Sequence, residues 1–289
     1  MKDLLLSMRP KQWIKNSFVL LPLLFGKKIF SYPENLHAFF AAICFILASS
    51  GAYLLNDVLD KEGDGNHPTK RSRPIAARKI PIFWALTACG ILMISSLLIS
   101  YALTPSLGAA VAAYLALSIA YSKFLKHRVL VDVFCIAGFF LLRLQAGSAA
   151  SNVVLSPWIL WMTFLLSLLL GFGKRRQEIR LSENAFSQRK VLEKYEPYFI
   201  DQMISVVTAS ICIVYAFYAI DRTTILRFGT DHLIYSTPFV YYGIFRYLYL
   251  IHKVGIDGDP TNMFLSDWQI RWSVISWIAT CVLVIYFGL

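Results

Sequence analysis

A chain of 289 residues that is 57% hydrophobic, with a mean hydropathy of +0.57 and only 16% charged residues, is not a soluble globular protein; soluble domains carry roughly 25% charge. The same numbers exclude a disordered chain, and five widely spaced cysteines in apolar runs exclude a small disulfide scaffold. A net charge of +11 would suggest nucleic acid in a soluble protein, but cytoplasmic loops of membrane proteins collect Lys and Arg, so no nucleic-acid partner is expected.

A bilayer-spanning helix needs roughly 20 apolar residues. The apolar runs predict nine helices, at about 16–31, 36–59, 80–102, 106–121, 129–149, 154–173, 200–220, 233–251 and 271–288. Strands are not expected, because the runs lack period-2 alternation and an open sheet edge cannot cross lipid. The expected fold is an all-α, polytopic membrane bundle forming one integral-membrane domain over residues 1–289.

Before the first helix stands Arg9-Pro10-Lys11-Gln12-Trp13-Ile14-Lys15-Asn16, with Trp13 among cations. This segment reads either as an interfacial anchor or as a lid that touches a lipid phosphate. The first apolar stretch carries Pro22 and is followed by Lys27-Lys28 without a small-residue cleavage site, so no cleavable signal peptide is expected.

The second helix ends in Asn56-Asp57-Val58-Leu59-Asp60-Lys61-Glu62-Gly63-Asp64. Asn56, Asp60 and Asp64 are spaced i, i+4, i+8, so a continuing helix would put them on one face, with Asp57 beside them. Carboxylates packed this closely repel unless a cation lies among them, and hard oxygen ligands suit Mg²⁺ with substrate phosphates. Acids at a helix C-terminus also oppose the macrodipole, so the group has no evident structural benefit. Directly after it come His67-Pro68-Thr69-Lys70-Arg71-Ser72-Arg73-Pro74. Lys70, Arg71 and Arg73 beside four acids form the donor set that holds a diphosphate.

The loop after the fourth helix reads Tyr121-Ser122-Lys123-Phe124-Leu125-Lys126-His127-Arg128, with His127 taken as a solvated loop residue. Asp132 and Arg143 lie within the fifth apolar run, about 16 Å apart along a helix, too far to pair directly. Arg143 reads as a structural brace or a lipid-phosphate contact, and Arg246 in the eighth helix is open to the same two readings. The sixth helix ends in Gly171-Phe172-Gly173-Lys174-Arg175-Arg176-Gln177-Glu178, a basic stretch with one carboxylate. Cys44, Cys89, Cys135, Cys212 and Cys281 read as small core residues.

Alternate loops sort the charge. The side holding the N-terminus collects 22 of the 28 Lys and Arg, and the opposite side only Lys27, Lys28, Arg222 and Arg227. That asymmetry supports nine crossings with the N-terminus and both long basic loops in the cytoplasm.

Asn-Asp-x-x-Asp-x-x-x-Asp on the second helix of a nine-helix membrane protein resembles the UbiA-type intramembrane prenyltransferase superfamily. Within it, Arg9–Asn16 and Asn66-His67-Pro68-Thr69-Lys70-Arg71-Ser72-Arg73-Pro74-Ile75-Ala76 look like the decaprenyl-phosphate phosphoribosyltransferase branch. Typical superfamily members carry a second Asp-rich motif at the end of helix 6. Here Lys174, Arg175 and Arg176 stand where carboxylates are expected, with Glu178 alone remaining. That departure disfavours allylic-diphosphate chemistry and suits a site holding more phosphate groups.

The resemblance implies transfer of 5-phosphoribose from phosphoribosyl diphosphate to a polyprenyl phosphate at the cytoplasmic face of a bacterial inner membrane, with Mg²⁺ as cofactor. It implies Asn56, Asp60 and Asp64 as metal ligands and Asp57, Lys70 and Arg73 in the catalytic group. Lys15, Arg71, Tyr121, Lys123, Lys126, Lys174, Arg175, Arg176 and Glu178 become substrate-binding candidates. The alternative within the family is a prenyltransferase acting on an aromatic acceptor, which should carry the second acidic cluster. A transporter for anionic solutes would place polar residues deep in several helices, whereas here charge concentrates at one face.

Overall fold

The computed structural model describes residues 2–66, 70–182, 195–253 and 259–288, and among them all regular structure is helical. The helices are α1 (Lys2–Ser7), α2 (Leu21–Phe25), α3 (Glu34–Leu59), α4 (Lys61–Gly65), α5 (Ile82–Leu103), α6 (Pro105–Lys123), α7 (Val131–Ser151), α8 (Pro157–Ser182), α9 (Pro197–Ile220), α10 (Arg222–Phe228), α11 (Thr237–His252), α12 (Pro260–Ser266) and α13 (Trp268–Phe287). Seven of them, α3, α5, α6, α7, α8, α9 and α13, are long and apolar enough to cross a bilayer. The expected eighth span is shorter: a 3₁₀ turn at His232–Ser236 feeds the 16-residue α11.

Proline sets many of the boundaries. It fixes φ and lacks an N–H, so it suits the first turn of a helix and interrupts the interior. Thr104 alone joins α5 to α6: its extended backbone ends α5, its hydroxyl accepts from Leu107 N–H at 3.2 Å, and Pro105 opens the next helix. α8, α9, α11 and α12 likewise begin at or one residue before a proline.

The helix expected at 16–31 takes another form. Residues Pro10–Leu20 wind as a 3₁₀ helix, α2 follows, and the chain leaves helical geometry at Gly26. Pro22 denies this stretch a continuous α-helical ladder. The segment instead lies against α3 and α7. Gly147 of α7 permits the approach, since a Cβ there would collide with the Val19 carbonyl.

The chain divides into two compact units. The first comprises the described residues up to Leu155 together with Ser182; the second comprises Ser156–Leu181 and the described chain from Tyr195. In the first, α3 is central and packs against α5, α6, α7 and the 3₁₀ segment. Small residues at the contact (Ala41, Ala48, Ala110, Ala146) let the helices close around Phe45 and Tyr114. α5 turns an apolar face outward through Phe83, Trp84, Ile91, Ile94 and Leu98, as lipid contact requires. All five cysteines are buried and free, as expected of core residues.

Arg143 has a structural environment. Its guanidinium is buried, donates to Asn16 Oδ1 (2.9 Å), the Phe139 carbonyl (2.9 Å) and Tyr114 Oη (3.1 Å), and lies over the Tyr114 ring at 4.8 Å. It braces α6, α7 and the 3₁₀ segment inside the apolar core.

In the second unit α11 and α13 pack together, and α9 packs against α10, α11 and the 3₁₀ turn. Arg246 also proves structural: it grips Asp267 through both Nε (3.2 Å) and Nη2 (2.7 Å), while Asp267 Oδ1 caps α13 by accepting from Ile270 N–H at 2.9 Å.

Candidate functional site

The acidic motif lies where α3 stops. Asp60 leaves helical geometry between α3 and α4, although its N–H still bonds the Asn56 carbonyl (2.9 Å) and its carbonyl accepts from Asp64 N–H (2.8 Å). This break regroups the side chains. Asn56, Asp60 and Asp64 do not form one row on a continuous helix. Asp57 and Asp64 instead converge on Arg73, whose Nη1 lies 3.2 Å from Asp57 Oδ1 and 2.6 Å from Asp64 Oδ2. Arg9 Nη2 donates to the same Asp57 oxygen. Asp60 turns elsewhere and takes the ammonium of Lys126, from the short 3₁₀ turn between α6 and α7.

Burial within this cluster is uneven. The Asp57 and Asp64 side chains are 3% and 7% exposed, whereas Arg9 and Arg73 are 27% and 26% exposed. The acids are thus held by the fold, and the guanidiniums reach them from the rim. For Asp60 and Lys126 the order is reversed, with the lysine buried. Among the described residues no three acidic, histidine or cysteine groups form a metal cluster unaided. Two carboxylates directed at one cationic nitrogen are nevertheless hard oxygen donors of the kind a divalent cation takes, so the residues fit a metal shared with phosphate oxygens.

The segment carrying Arg9 is tied along α3. Trp13 Nε1 donates to Ser50 Oγ (3.1 Å), Asn16 Nδ2 donates to Ser49 Oγ (3.3 Å), and the Arg9 guanidinium stacks 4.9 Å over Tyr53. Positions 49, 50, 53 and 57 share one stripe of the helix, at the three- and four-residue spacings of a single face. Arg9 itself is a single left-handed residue (φ 55°, ψ 64°) between α1 and the 3₁₀ helix. Expected as an interfacial anchor or a lid, the segment is tied to α3 by its indole and amide, and its arginine enters the acidic cluster.

The end of α8, in the second unit, carries the other basic motif. Arg175 has no exposed surface and pairs with Glu178 on the same helix. Arg176 Nε donates to Asp201 Oδ1 on α9 at 2.7 Å, and Gln177 donates to the Ile251 carbonyl. Gly173 packs so tightly that an added Cβ would lie 2.5 Å from Tyr247 Oη. Arg175 therefore lies inside its unit, with Nη1 held by Glu178. Lys174 is half-buried at the same helix end.

A family model described as the UbiA prenyltransferase family matches residues 18–174, more than half of the chain. The chain belongs to the UbiA prenyltransferase family. It is 34% identical over 287 residues to a decaprenyl-phosphate phosphoribosyltransferase of Mycobacterium tuberculosis, covering 98% of this chain and 94% of that protein. It is 32% identical over 289 residues to a protein of the same description in Corynebacterium glutamicum, covering 97% and 86%. Among solved structures, a UbiA homologue from Archaeoglobus fulgidus bound to GPP and Mg²⁺ superposes with a TM-score of 0.74 at 17% identity, covering 98% of this chain and 99% of that one. The last likeness establishes the fold; family membership and the seven long apolar helices make this chain an integral membrane protein.

In this UbiA-family member the structure brings together Asp57, Asp64 and Arg73, and separately Asp60 and Lys126. Lys70 and Arg71 form the turn leading to Arg73, whose N–H bonds the Lys70 carbonyl at 2.9 Å; Arg71 is exposed. Tyr121 packs edge-on to Phe139, Lys123 is exposed at the end of α6, and Lys15 is half-buried in the 3₁₀ segment. Three motif residues, His67, Pro68 and Thr69, lie outside the described residues. The position that sequence reasoning left out of the site is Arg9. Its signal was present as a cation beside a proline, but its partner lies 48 residues away. Asp132 is fully buried in the first turn of α7.

Proposed function

We propose that this chain is a membrane phosphoribosyltransferase, moving 5-phosphoribose from phosphoribosyl diphosphate to a polyprenyl phosphate of decaprenyl type and releasing diphosphate. The whole chain acts as one catalytic domain, with the site at the cytoplasmic face of a bacterial inner membrane. The observation that carries this reading is the convergence of two buried carboxylates and two rim arginines at the end of α3. The full-length relatives described as decaprenyl-phosphate phosphoribosyltransferases support it, as does the basic character of Lys174–Arg176.

Asp57 and Asp64, with Asp60 and Asn56 from the same motif, would hold Mg²⁺. The chemistry Mg²⁺ supplies when bound is neutralisation of the departing diphosphate. Arg73, Lys70 and Arg71 add positive charge to that leaving group as the C1–O bond to diphosphate breaks. The new bond forms between C1 and an oxygen of the polyprenyl phosphate, which is anionic at neutral pH, so no side chain has to remove a proton. In-line attack inverts the anomeric centre. Lys126 orients Asp60. Lys15, Tyr121 and Lys123 of the first unit are assigned to the lipid phosphate and the 5-phosphate, where two anionic reactants need a cationic surround.

The test is incubation of membranes containing the chain with labelled phosphoribosyl diphosphate, with and without Mg²⁺ and added polyprenyl phosphate. The expected result is Mg²⁺-dependent appearance of label in the lipid extract. Prenylation of an aromatic acid from a prenyl diphosphate, without phosphoribosyl transfer, would replace this reading with the prenyltransferase one.

A further inference from the structure

We infer that Arg73, backed by Arg9, is a resident counter-cation: it occupies the acidic pair until a diphosphate draws it away, so that divalent metal and diphosphate bind together and metal alone binds weakly. The inference rests on the proposed metal–diphosphate reading and goes beyond it by ordering the binding events.

The argument is one of charge and mobility. Arg73 Nη1 stands between Asp57 Oδ1 and Asp64 Oδ2, and Arg9 adds a second guanidinium to Asp57 Oδ1. Two acids and two arginines make a neutral group. A divalent cation entering while both arginines remain would leave two excess positive charges among side chains that are 3% and 7% exposed, which the low local dielectric penalises heavily. A guanidinium does not deprotonate in a protein, so it must move rather than neutralise.

The two arginines are the parts able to move. Both are about one quarter exposed, whereas the acids they hold are buried. Neither sits on α3 or α4: Arg9 is the single left-handed residue between two short helices, and Arg73 follows a three-residue 3₁₀ turn. A diphosphate gives a displaced guanidinium a bidentate anionic partner. With metal, both arginines, both acids and a diphosphate present, the charges again nearly cancel. By linkage, a diphosphate that favours metal binding must itself be favoured by metal to the same degree.

The experiment titrates the purified full-length protein with Mn²⁺ in the absence of substrate, reading free Mn²⁺ by electron paramagnetic resonance. Wild type, Arg73→Gln, Arg73→Lys and Arg9→Gln are compared. Arg73→Gln should bind Mn²⁺ about tenfold more tightly than wild type or better, within the usual range of coupling between sites. Arg73→Lys, which keeps the charge, should stay close to wild type, and Arg9→Gln should fall between. Inorganic diphosphate, corrected for its own Mn²⁺ complex, should tighten binding to wild type by a similar factor and to Arg73→Gln by much less. Unchanged or weaker Mn²⁺ binding in an Arg73→Gln protein of normal elution and melting would overturn the inference. If that variant does not fold, an absence of coupling between diphosphate and Mn²⁺ in wild type overturns it equally. Should phosphoribosyl transfer occur while Mn²⁺ affinity ignores Arg73, only this inference fails. Should Mn²⁺ affinity respond while no transfer is found, only the functional reading fails.

Discussion

Asp57→Asn isolates the electrostatic core of the candidate site with little change in shape. The carboxylate is 3% exposed and accepts from two guanidiniums, so the substitution leaves both Arg9 and Arg73 short of a charged partner. Breaking a buried ion pair by removing one partner costs about 3–5 kcal/mol. Here the orphaned arginines are about one quarter exposed and can rehydrate, and Asp64 still holds Arg73 at 2.6 Å. The loss should therefore fall at the low end, about 3 kcal/mol, or a melting shift of roughly 6 °C by the scaling of larger domains. Thermal unfolding of the detergent-solubilised protein measures it, with Arg9→Gln and the double variant completing a cycle. A coupling of about 1–3 kcal/mol between positions 9 and 57 is expected for a direct charged contact. Melting of Asp57→Asn indistinguishable from wild type, or additive effects in the double variant, would refute the view that this pair holds the N-terminal segment to α3.

The remaining predictions concern both units. Arg143→Lys keeps the charge but cannot reach Asn16, Phe139 and Tyr114 together, and should lower stability by about 1–3 kcal/mol, as expected where buried acceptors lose their donors; thermal melting reads it. Gly147→Val should displace the 3₁₀ segment, because the new side chain meets the Val19 carbonyl, and limited proteolysis should then cut near Pro10–Leu20 faster than in wild type. Asp267→Ala should destabilise more than Arg246→Gln, since Asp267 both accepts the bidentate Arg246 contact and caps α13, the cap alone being worth about 0.5–2 kcal/mol. Equal losses in these two variants would show that the cap contributes nothing.

Sequence alone settled what is local. The apolar runs of about 20 residues were read directly from the chain, because a helix in lipid must satisfy its own backbone. The motif Asn56–Asp64 and the cations after it were legible for the same reason: their spacing is read within a few residues. The first apolar run was expected as a helix over 16–31, whereas the structure winds Pro10–Leu20 as a 3₁₀ helix packed against α7 at Gly147. The pairings of the charges belonged to the tertiary structure. Helical spacing grouped Asn56, Asp60 and Asp64, whereas the end of α3 at Leu59 turned Asp60 toward Lys126, 66 residues distant, and left Asp57 and Asp64 to Arg73. Arg143 found Asn16 across 127 residues. Charges choose partners by distance in space and by the water they must surrender, and neither quantity is written in the spacing along the chain.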